Sequence, residues 1–183
     1  TLGCFDVTVH SENYNQNTIH SVHLSPEDHS IYYSQPGIAV NLSGFLKGYA
    51  LETIKTILNE CVIENALINM GNSSVLALGN HPVGTGWRVN DILLYDECLT
   101  TSGNDSPERR HIVSPQDGKL VEGARQISVV TTNGAIGEIL STALFAADSE
   151  QRKALMGIYA HCRVYIYPPC WTYIPTIAVL ESL

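Results

Sequence analysis

The sequence is poor in positive charge, with 10 Lys and Arg residues against 18 Asp and Glu residues and a formal net charge of −8. Proteins that bind the phosphate backbone of nucleic acids usually carry a basic patch, so this balance argues against a nucleic-acid partner. No apolar run approaches the roughly 20 residues that a membrane-spanning helix needs. The chain begins at Thr1 rather than at Met. We therefore expect a processed or trimmed product, associated with a membrane only through an anchor that this chain does not contain.

Cysteine occurs five times, and an odd number cannot close into a complete disulfide framework. The C-x-x-C spacing that is typical of zinc sites is also missing. We predict mostly buried free thiols. Cys162 and Cys170 could pair in an oxidising compartment, and the sequence leaves that question open.

The composition, 44% hydrophobic and 15% charged over 183 residues, is typical of a globular protein with a substantial core. We predict a single domain spanning residues 1–183. Helical and extended patterns mix without regular βαβ alternation. This favours the α+β class, with a largely antiparallel sheet and packed helices.

Hydrophobic periodicity assigns most of the chain to individual elements. It predicts helices in Asn41–Cys61 (with a lead-in loop), Ala135–Ala147 and Gln151–Met156. Short apolar or β-branched runs predict strands at Ala66–Met70, Val75–Leu78, Gln126–Thr132, Arg163–Tyr167 and Trp171–Leu180, and a strand pair or a strand with a turn in Trp87–Leu94. Thr100–Gly118 is polar and rich in Gly and Pro, which predicts a long loop. Residues 1–35 are polar, His-rich and only weakly periodic.

The most informative segment opens the first helix. Gly44 and Gly48 permit close approach of the backbone, while a helix N-terminus with Lys47 beside it favours a phosphate group. An ordinary helix start with a solvated lysine fits the same residues.

Two further segments carry polar residues at spacings that suit catalysis. His111, in the predicted loop, can act as a general base because the pKa of histidine lies near neutral pH. Glu138 and Thr142 are four residues apart and share a helical face, with Ser141 adjacent. Their oxygens suit Mg²⁺, a hard cation. A surface histidine in a Pro-bounded turn and a solvated helix face are the alternatives.

Five segments, in order along the chain, resemble the motifs of the ApbE family, the FAD:protein FMN transferases. They are Gly3–Thr8 (G-x-F-D-x-T in the family), Asn41–Ala50 (D-L-G-G-I-A-K-G-Y-A), Asn65–Asn72 (N-A-L-V-N-L-G-G), Thr101–Gly103 with His111–Gly118 (T-S-G, then H-I-I-D-P-x-T-G), and Glu138–Thr142 (D-A-L-x-T). Five motifs in the same order are far more specific than any one of them.

The resemblance implies an ApbE-like, T-fold-related domain that transfers FMN from FAD to a Thr or Ser hydroxyl of an acceptor protein and releases AMP. It implies Mg²⁺ held by the Gly44 carbonyl, Glu138 and Thr142, with Ser141 beside them, and His111 as the base that accepts the proton of the acceptor hydroxyl. The residues that the resemblance assigns to FAD binding are Asn41, Lys47, Asn69, Met70, Gly71, Ser102, Gly103 and Ile112. It also implies a location in the cell envelope.

The chain departs from the family pattern at several positions. Asn41 replaces the acid that opens the lysine motif, Glu138 replaces a metal-binding Asp, and Ser114 replaces the Asp of the histidine motif. Asp117 replaces a Thr. We also expect the first segment of the family to be missing, with part of its FAD contacts. Two alternatives therefore stand beside the transferase: an FAD pyrophosphatase that uses water as acceptor, and a non-catalytic flavin-binding or structural relic of the fold.

Overall fold

The computed structural model describes residues 1–104, 110–123, 125–167 and 178–179. Within these ranges the helices are α1 (Leu46–Glu60), α2 (Gly134–Ala146) and α3 (Ser149–Ile158), with a short 3-10 helix at Thr18–Ser21. The strands are β1 (Val22–Ser25), β2 (Ser30–Tyr33), β3 (Ala66–Met70), β4 (Ser74–Leu78), β5 (Trp87–Val89), β6 (Ile92–Leu94), β7 (Glu97–Gly103), β8 (Gln126–Thr131), β9 (Arg163–Tyr167) and β10 (Ala178–Val179). None of these helices is long and apolar enough to cross a bilayer.

A six-stranded sheet forms the centre of the described structure, in the order β10-β9-β8-β7-β4-β3. Every neighbouring pair in it is antiparallel. Two hairpins, β1-β2 and β5-β6, stand apart from this sheet. The α+β prediction with an antiparallel sheet is thus confirmed. That residues 1–183 form one domain stays a prediction.

Strand β4 is buried on both faces of the sheet, which explains its apolar run. Val75 and Ala77 pack with Ile92 and Leu94 of the β5-β6 hairpin. The alternate side chains of β4, with Leu51 of α1, form a second cluster on the opposite face. Because successive side chains of a strand point to opposite faces, a strand covered on both sides is apolar throughout rather than alternating.

Helices α1 and α2 cross at two glycines. A Cβ added to Gly48 would overlap the carbonyl oxygen of Gly134, and a Cβ on Gly134 would lie 3.0 Å from the carbonyl oxygen of Gly48. The helices therefore approach backbone to backbone at the end of the sheet where α2 begins. Helix α2 is capped there by Asn133, whose side chain accepts a hydrogen bond from the Ile136 N–H at 2.9 Å.

Several local predictions differ from the structure. The predicted loop Thr100–Gly118 was wrong at its start, because β7 runs through Gly103 and pairs with β8. Later in the same segment Val113 forms a bridge with Leu120. The polar N-terminal region contains the β1-β2 hairpin, which weak periodicity did not predict. Of Trp171–Leu180, only Ala178–Val179 is described, and it is a strand.

The cysteine prediction holds in part. Cys4 and Cys98 are buried free thiols, whereas Cys61 is exposed and Cys162 is half-buried, both also free. Cys170 lies outside the described residues. Burial raises the pKa of the Cys98 thiol to about 12, with the neighbouring carboxylate of Glu52 as a second cause.

Candidate functional site

A cavity of about 780 Å³ lies at the end of the sheet where α1 and α2 begin. This volume lies within the range of about 300–1,000 Å³ that is usual for small-molecule and cofactor sites. All five motif segments contribute to its wall. The lining residues from these segments include Phe5, Asp6, Asn41, Gly44, Lys47, Gly71, Asn72, Thr101, Ser102, Gly103, His111, Ile112, Pro115, Glu138 and Thr142.

Glu138 is the buried carboxylate of this cavity, with 6% of the residue exposed. Helix α2 carries it one turn after Gly134 and places it against the start of β4, where the Ser74 hydroxyl donates a hydrogen bond to its Oε1. Its Oε2 is also buried and has no hydrogen-bond partner among the described residues. Leaving an oxygen of an ionised carboxylate buried and unpaired costs free energy, so this atom is suited to a cation.

Three hydroxyl groups lie beside that carboxylate. Ser102 Oγ is 2.8 Å from Ser141 Oγ and 2.9 Å from Thr142 Oγ1. Ser141 also donates to the carbonyl oxygen of Glu138 at 3.1 Å. Ser141 is fully buried and does not line the cavity, whereas Ser102 and Thr142 do. Strand β7 and helix α2 are thus joined by hydrogen-bonded hydroxyl groups, two of which line the cavity.

Lys47 enters the cavity from the first turn of α1. Its ammonium group donates a hydrogen bond to the hydroxyl of Ser73, in the turn between β3 and β4. That turn places Gly71 and Asn72 at positive φ, +64° and +62°. Asn69 stabilises it, because its Oδ1 accepts from the Asn72 N–H at 2.9 Å. A cation and a tight turn therefore face the same space from two elements, as a nucleotide phosphate would require.

The lead-in to α1 is held close to the N-terminal segment. The Asn41 N–H donates to the Val7 carbonyl at 2.7 Å, and Asn41 Oδ1 accepts from the Ser43 N–H at 2.9 Å. A Cβ on Gly44 would lie 2.8 Å from the Phe5 ring. Only glycine fits at Gly44 without displacing that ring, so the backbone of Gly44 can border the cavity.

His111 lines the cavity from the start of a short hairpin that covers residues 111–121. The Val121 N–H donates to the Ile112 carbonyl at 2.8 Å, and the Ser114 N–H donates to the Lys119 carbonyl at 2.8 Å. His111 is solvent-exposed, whereas Ile112 is buried. The imidazole is therefore placed where the cavity meets solvent.

Tyr14 connects this hairpin to the N-terminal segment. Its hydroxyl lies 3.0 Å from the Pro115 carbonyl oxygen and 3.1 Å from Asp6 Oδ2, and it can donate to either. Asp6 Oδ1 accepts from the N–H and the hydroxyl of Thr8 at 2.7 and 2.6 Å. Burial, and then the charge of Asp6, raise the pKa of Tyr14 to about 12. The tyrosine therefore stays protonated and keeps its donor at neutral pH.

Most of the residues singled out from the sequence lie around this cavity. Three of them do not line it: Asn69, Met70 and Ser141. Met70 packs against the cluster of Leu51 and Leu76, and the other two support residues that do line the cavity. Their assignment to FAD or to the metal stays a prediction, as does that of the lining residues.

Sequence reasoning assigned no role to several residues that build the site: Asp6, Tyr14, Ser73 and Ser74. Asp6 lies inside a segment that had been matched to a motif, so its position was visible although its role was not. Ser74 opens an otherwise apolar strand directly after a motif-bearing turn, and that contrast was a usable signal. The contact of Tyr14 with Pro115 joins residues far apart in sequence, and nothing local indicates it.

The donor set fits Mg²⁺ better than a softer metal. The cavity wall offers the Glu138 carboxylate and the Thr142 hydroxyl, which are oxygen ligands of the kind that hard cations take. Among the residues described, no group of three or more His, Cys, Asp and Glu side chains could hold a metal ion. The cluster of nitrogen and sulfur ligands that zinc or copper prefers is therefore not found in the described part of the chain.

Known proteins resemble this chain in sequence and in fold. The model of the ApbE family matches residues 6–166. An FAD:protein FMN transferase of Rhodobacter capsulatus is 31% identical over 153 residues, 72% of this chain and 29% of that protein. One from Chlamydia muridarum is 26% identical over 171 residues, 84% of this chain and 54% of that protein. The chain thus spans about half or less of these relatives.

Solved structures agree on the fold. The flavin transferase ApbE from Vibrio cholerae superimposes with a TM-score of 0.69 at 19% identity, over 81% of this chain and 52% of that one. The apo form of the Pseudomonas stutzeri flavinyl transferase ApbE gives a TM-score of 0.69 at 19% identity, over 80% and 50%. At this identity the match concerns the fold alone.

Proposed function

The chain belongs to the ApbE family, and on that premise we propose that it transfers FMN from FAD to a Thr or Ser hydroxyl of an acceptor protein, with Mg²⁺ as cofactor. The observation that carries the proposal is the buried, unpartnered Oε2 of Glu138, in a cavity that gathers residues from all five motifs. The curated relatives are named for this activity. A carboxylate, a lysine and an imidazole on the wall of one cavity support the proposal.

In the proposed reaction the acceptor oxygen attacks the FMN-side phosphorus of FAD. The bond between that phosphorus and the bridging oxygen breaks, and AMP leaves with the bridging oxygen. Such a transfer needs alignment and stabilisation of negative charge more than covalent chemistry from the protein. The acceptor hydroxyl also has to lose its proton.

The residues divide these tasks by their position. Glu138 and Thr142, with the carbonyl of Gly44, would hold Mg²⁺, which when bound neutralises charge on the phosphoryl oxygens. Lys47 and Gly71 bind the nucleotide, and Asn69 holds the turn that carries Gly71. Ser102, Gly103 and Ile112 complete the FAD-binding wall that the family resemblance implies, with Asn41 beside the flavin nucleotide.

His111 accepts the proton. It lies at the solvent-exposed edge of the cavity, where the side chain of a folded acceptor protein can reach it. A base at that place can take the proton as the acceptor oxygen attacks.

Glu138→Gln tests the metal part of this proposal. The amide keeps the volume of the side chain but removes the negative charge that a cation would neutralise. We expect Mg²⁺-dependent turnover to fall about 10²–10³-fold, as when one group that stabilises transition-state charge is removed. Turnover is measured by mass spectrometry of an acceptor peptide and by AMP release from FAD. Glu60→Gln, an exposed charge change on α1, is the matched control and should leave turnover unchanged.

The same assay separates the alternatives. AMP release that is equal with and without the peptide, and no mass added to the peptide, would make the chain an FAD pyrophosphatase. FAD binding in a calorimetric titration without AMP release under either condition would make it a flavin-binding relic. No heat with FAD at all would contradict the flavin assignment.

A further inference from the structure

Glu52 of α1 reaches across to the first residue of α2. Its Oε1 accepts a hydrogen bond from the Gly134 N–H at 2.6 Å. The first N–H groups of a helix have no partner inside the helix. The cap residue Asn133 serves the Ile136 N–H, so Glu52 supplies the acceptor that the local cap does not. A negative charge there also interacts favourably with the helix dipole.

A second side chain of α1 contacts the same loop. Lys55 Nζ donates to the Thr132 carbonyl at 3.1 Å. Glu52 and Lys55 are three residues apart and therefore share one face of α1. Beneath them the buried thiol of Cys98 lies 3.8 Å from Glu52 Oε1. The loop before α2 is thus held by two oppositely charged side chains of a neighbouring helix.

At the crossing Gly48 and Gly134 are in backbone contact, and neither of them carries a side chain that could interlock with the other helix. A contact between two smooth backbones resists sliding poorly. We therefore expect the polar contacts of Glu52 and Lys55, about one turn further along α1, to fix the position of α1 relative to α2.

Two charged groups of the cavity are close in sequence to the glycines of this crossing. Lys47 directly precedes Gly48 on α1, and Glu138 follows Gly134 by one turn on α2. We propose that Glu52 is a positioning residue, which holds the start of α2 against α1 and thereby sets the separation of Lys47 and Glu138. As a statement about catalysis, this inference rests on the proposed function. The helix contact itself does not.

The test compares Glu52→Ala with Glu52→Gln, which keeps an acceptor oxygen, and with Glu60→Ala as control. In ¹⁵N-labelled protein, amide exchange at Gly134 should accelerate about 10- to 100-fold in Glu52→Ala, because a hydrogen bond to a charged acceptor is lost. The nuclear Overhauser effect between Gly48 and Gly134 should weaken in parallel. Glu52→Gln should show smaller changes, and Glu60→Ala none.

Kinetics provide the second readout. In Glu52→Ala we expect the Mg²⁺ concentration for half-maximal turnover to rise about 3- to 10-fold. This corresponds to a loss of roughly 1 kcal/mol in the free energy of Mg²⁺ binding. The KM for the acceptor peptide should stay unchanged, and Glu52→Gln should restore most of the Mg²⁺ response. Unchanged exchange at Gly134, or altered exchange with an unaltered Mg²⁺ response, overturns the inference. If the wild-type protein has no turnover, the proposed function fails, and the Gly48–Gly134 signal alone decides the helix contact.

Discussion

The two sides of the cavity are built differently. The helix side, Ser74, Glu138 and Thr142, belongs to β4 and α2 and is packed between the sheet and a second helix. The loop side, His111 to Pro115, is the first part of the hairpin of residues 111–121, which is held by backbone hydrogen bonds and by the Tyr14 hydroxyl. Regions with few buried contacts open at lower free energy than the core. A metal site needs fixed geometry, and an acceptor protein needs access, so each side suits the task proposed for it.

The largest effect that this comparison predicts is kinetic and lies on the loop side. His111→Ala removes an exposed side chain, so the free energy of unfolding should change by less than about 0.5 kcal/mol. Removing a general base should nevertheless lower turnover by on the order of 10²–10⁴-fold. Thermal unfolding and AMP release, measured on the same preparation, check both halves of the prediction. A variant that loses FAD affinity as well as turnover would show that His111 binds the nucleotide instead.

On the helix side the expected effect is on stability. Gly48→Ala places a methyl group where the carbonyl of Gly134 lies, and such overpacking typically costs about 1–3 kcal/mol. Gly157→Ala in α3 is the control, because no atom lies within 4 Å of its added Cβ. There alanine should stabilise by about 0.4–1 kcal/mol. Urea unfolding of both variants measures the difference, and equal midpoints would mean that the crossing adapts at no cost.

The same contrast explains what the sequence could predict. Elements whose pattern comes from burial were found close to their observed limits, for example β4, β8 and α2. Helical periodicity and buried β-branched runs are local patterns of core residues, so one sequence is enough to detect them. Strand β7 (Glu97–Gly103) was not predicted at all, because its second half, Thr100–Gly103, is polar. Its hydroxyls pair with β8 and α2 rather than with solvent, which composition does not reveal.

The candidate site was predictable as a set of positions and much less as a set of contacts. The motif order identified Lys47, His111 and Glu138, all of which line one cavity. The partners of these residues could not be read from spacing. Ser74, the hydrogen-bond partner of Glu138, comes from a different element 64 positions away. Long-range pairs of this kind depend on the registers of the sheet and on the α1–α2 crossing, and neither leaves a local pattern.

The smallest predicted effect concerns Asn41, where the motif that this segment resembles has an acid. Asn41 is exposed at the cavity, and its Oδ1 accepts a hydrogen bond from the Ser43 N–H at 2.9 Å. An aspartate can keep that bond, so Asn41→Asp should change the free energy of unfolding by no more than about 0.5 kcal/mol. A hydrogen bond from FAD to a charged acceptor is stronger than one to a neutral acceptor by roughly 1 kcal/mol, which corresponds to about a fivefold lower KM for FAD.

Asn59→Asp makes the same charge change on α1 away from the cavity and should leave the KM unchanged. If Asn41→Asp raises FAD affinity and also speeds AMP release, then the asparagine that this chain carries at position 41 only attenuates the enzyme. If FAD affinity falls instead, because the added charge repels the pyrophosphate, then the lead-in to α1 has diverged from the motif, whereas the helix side has kept the carboxylate of Glu138.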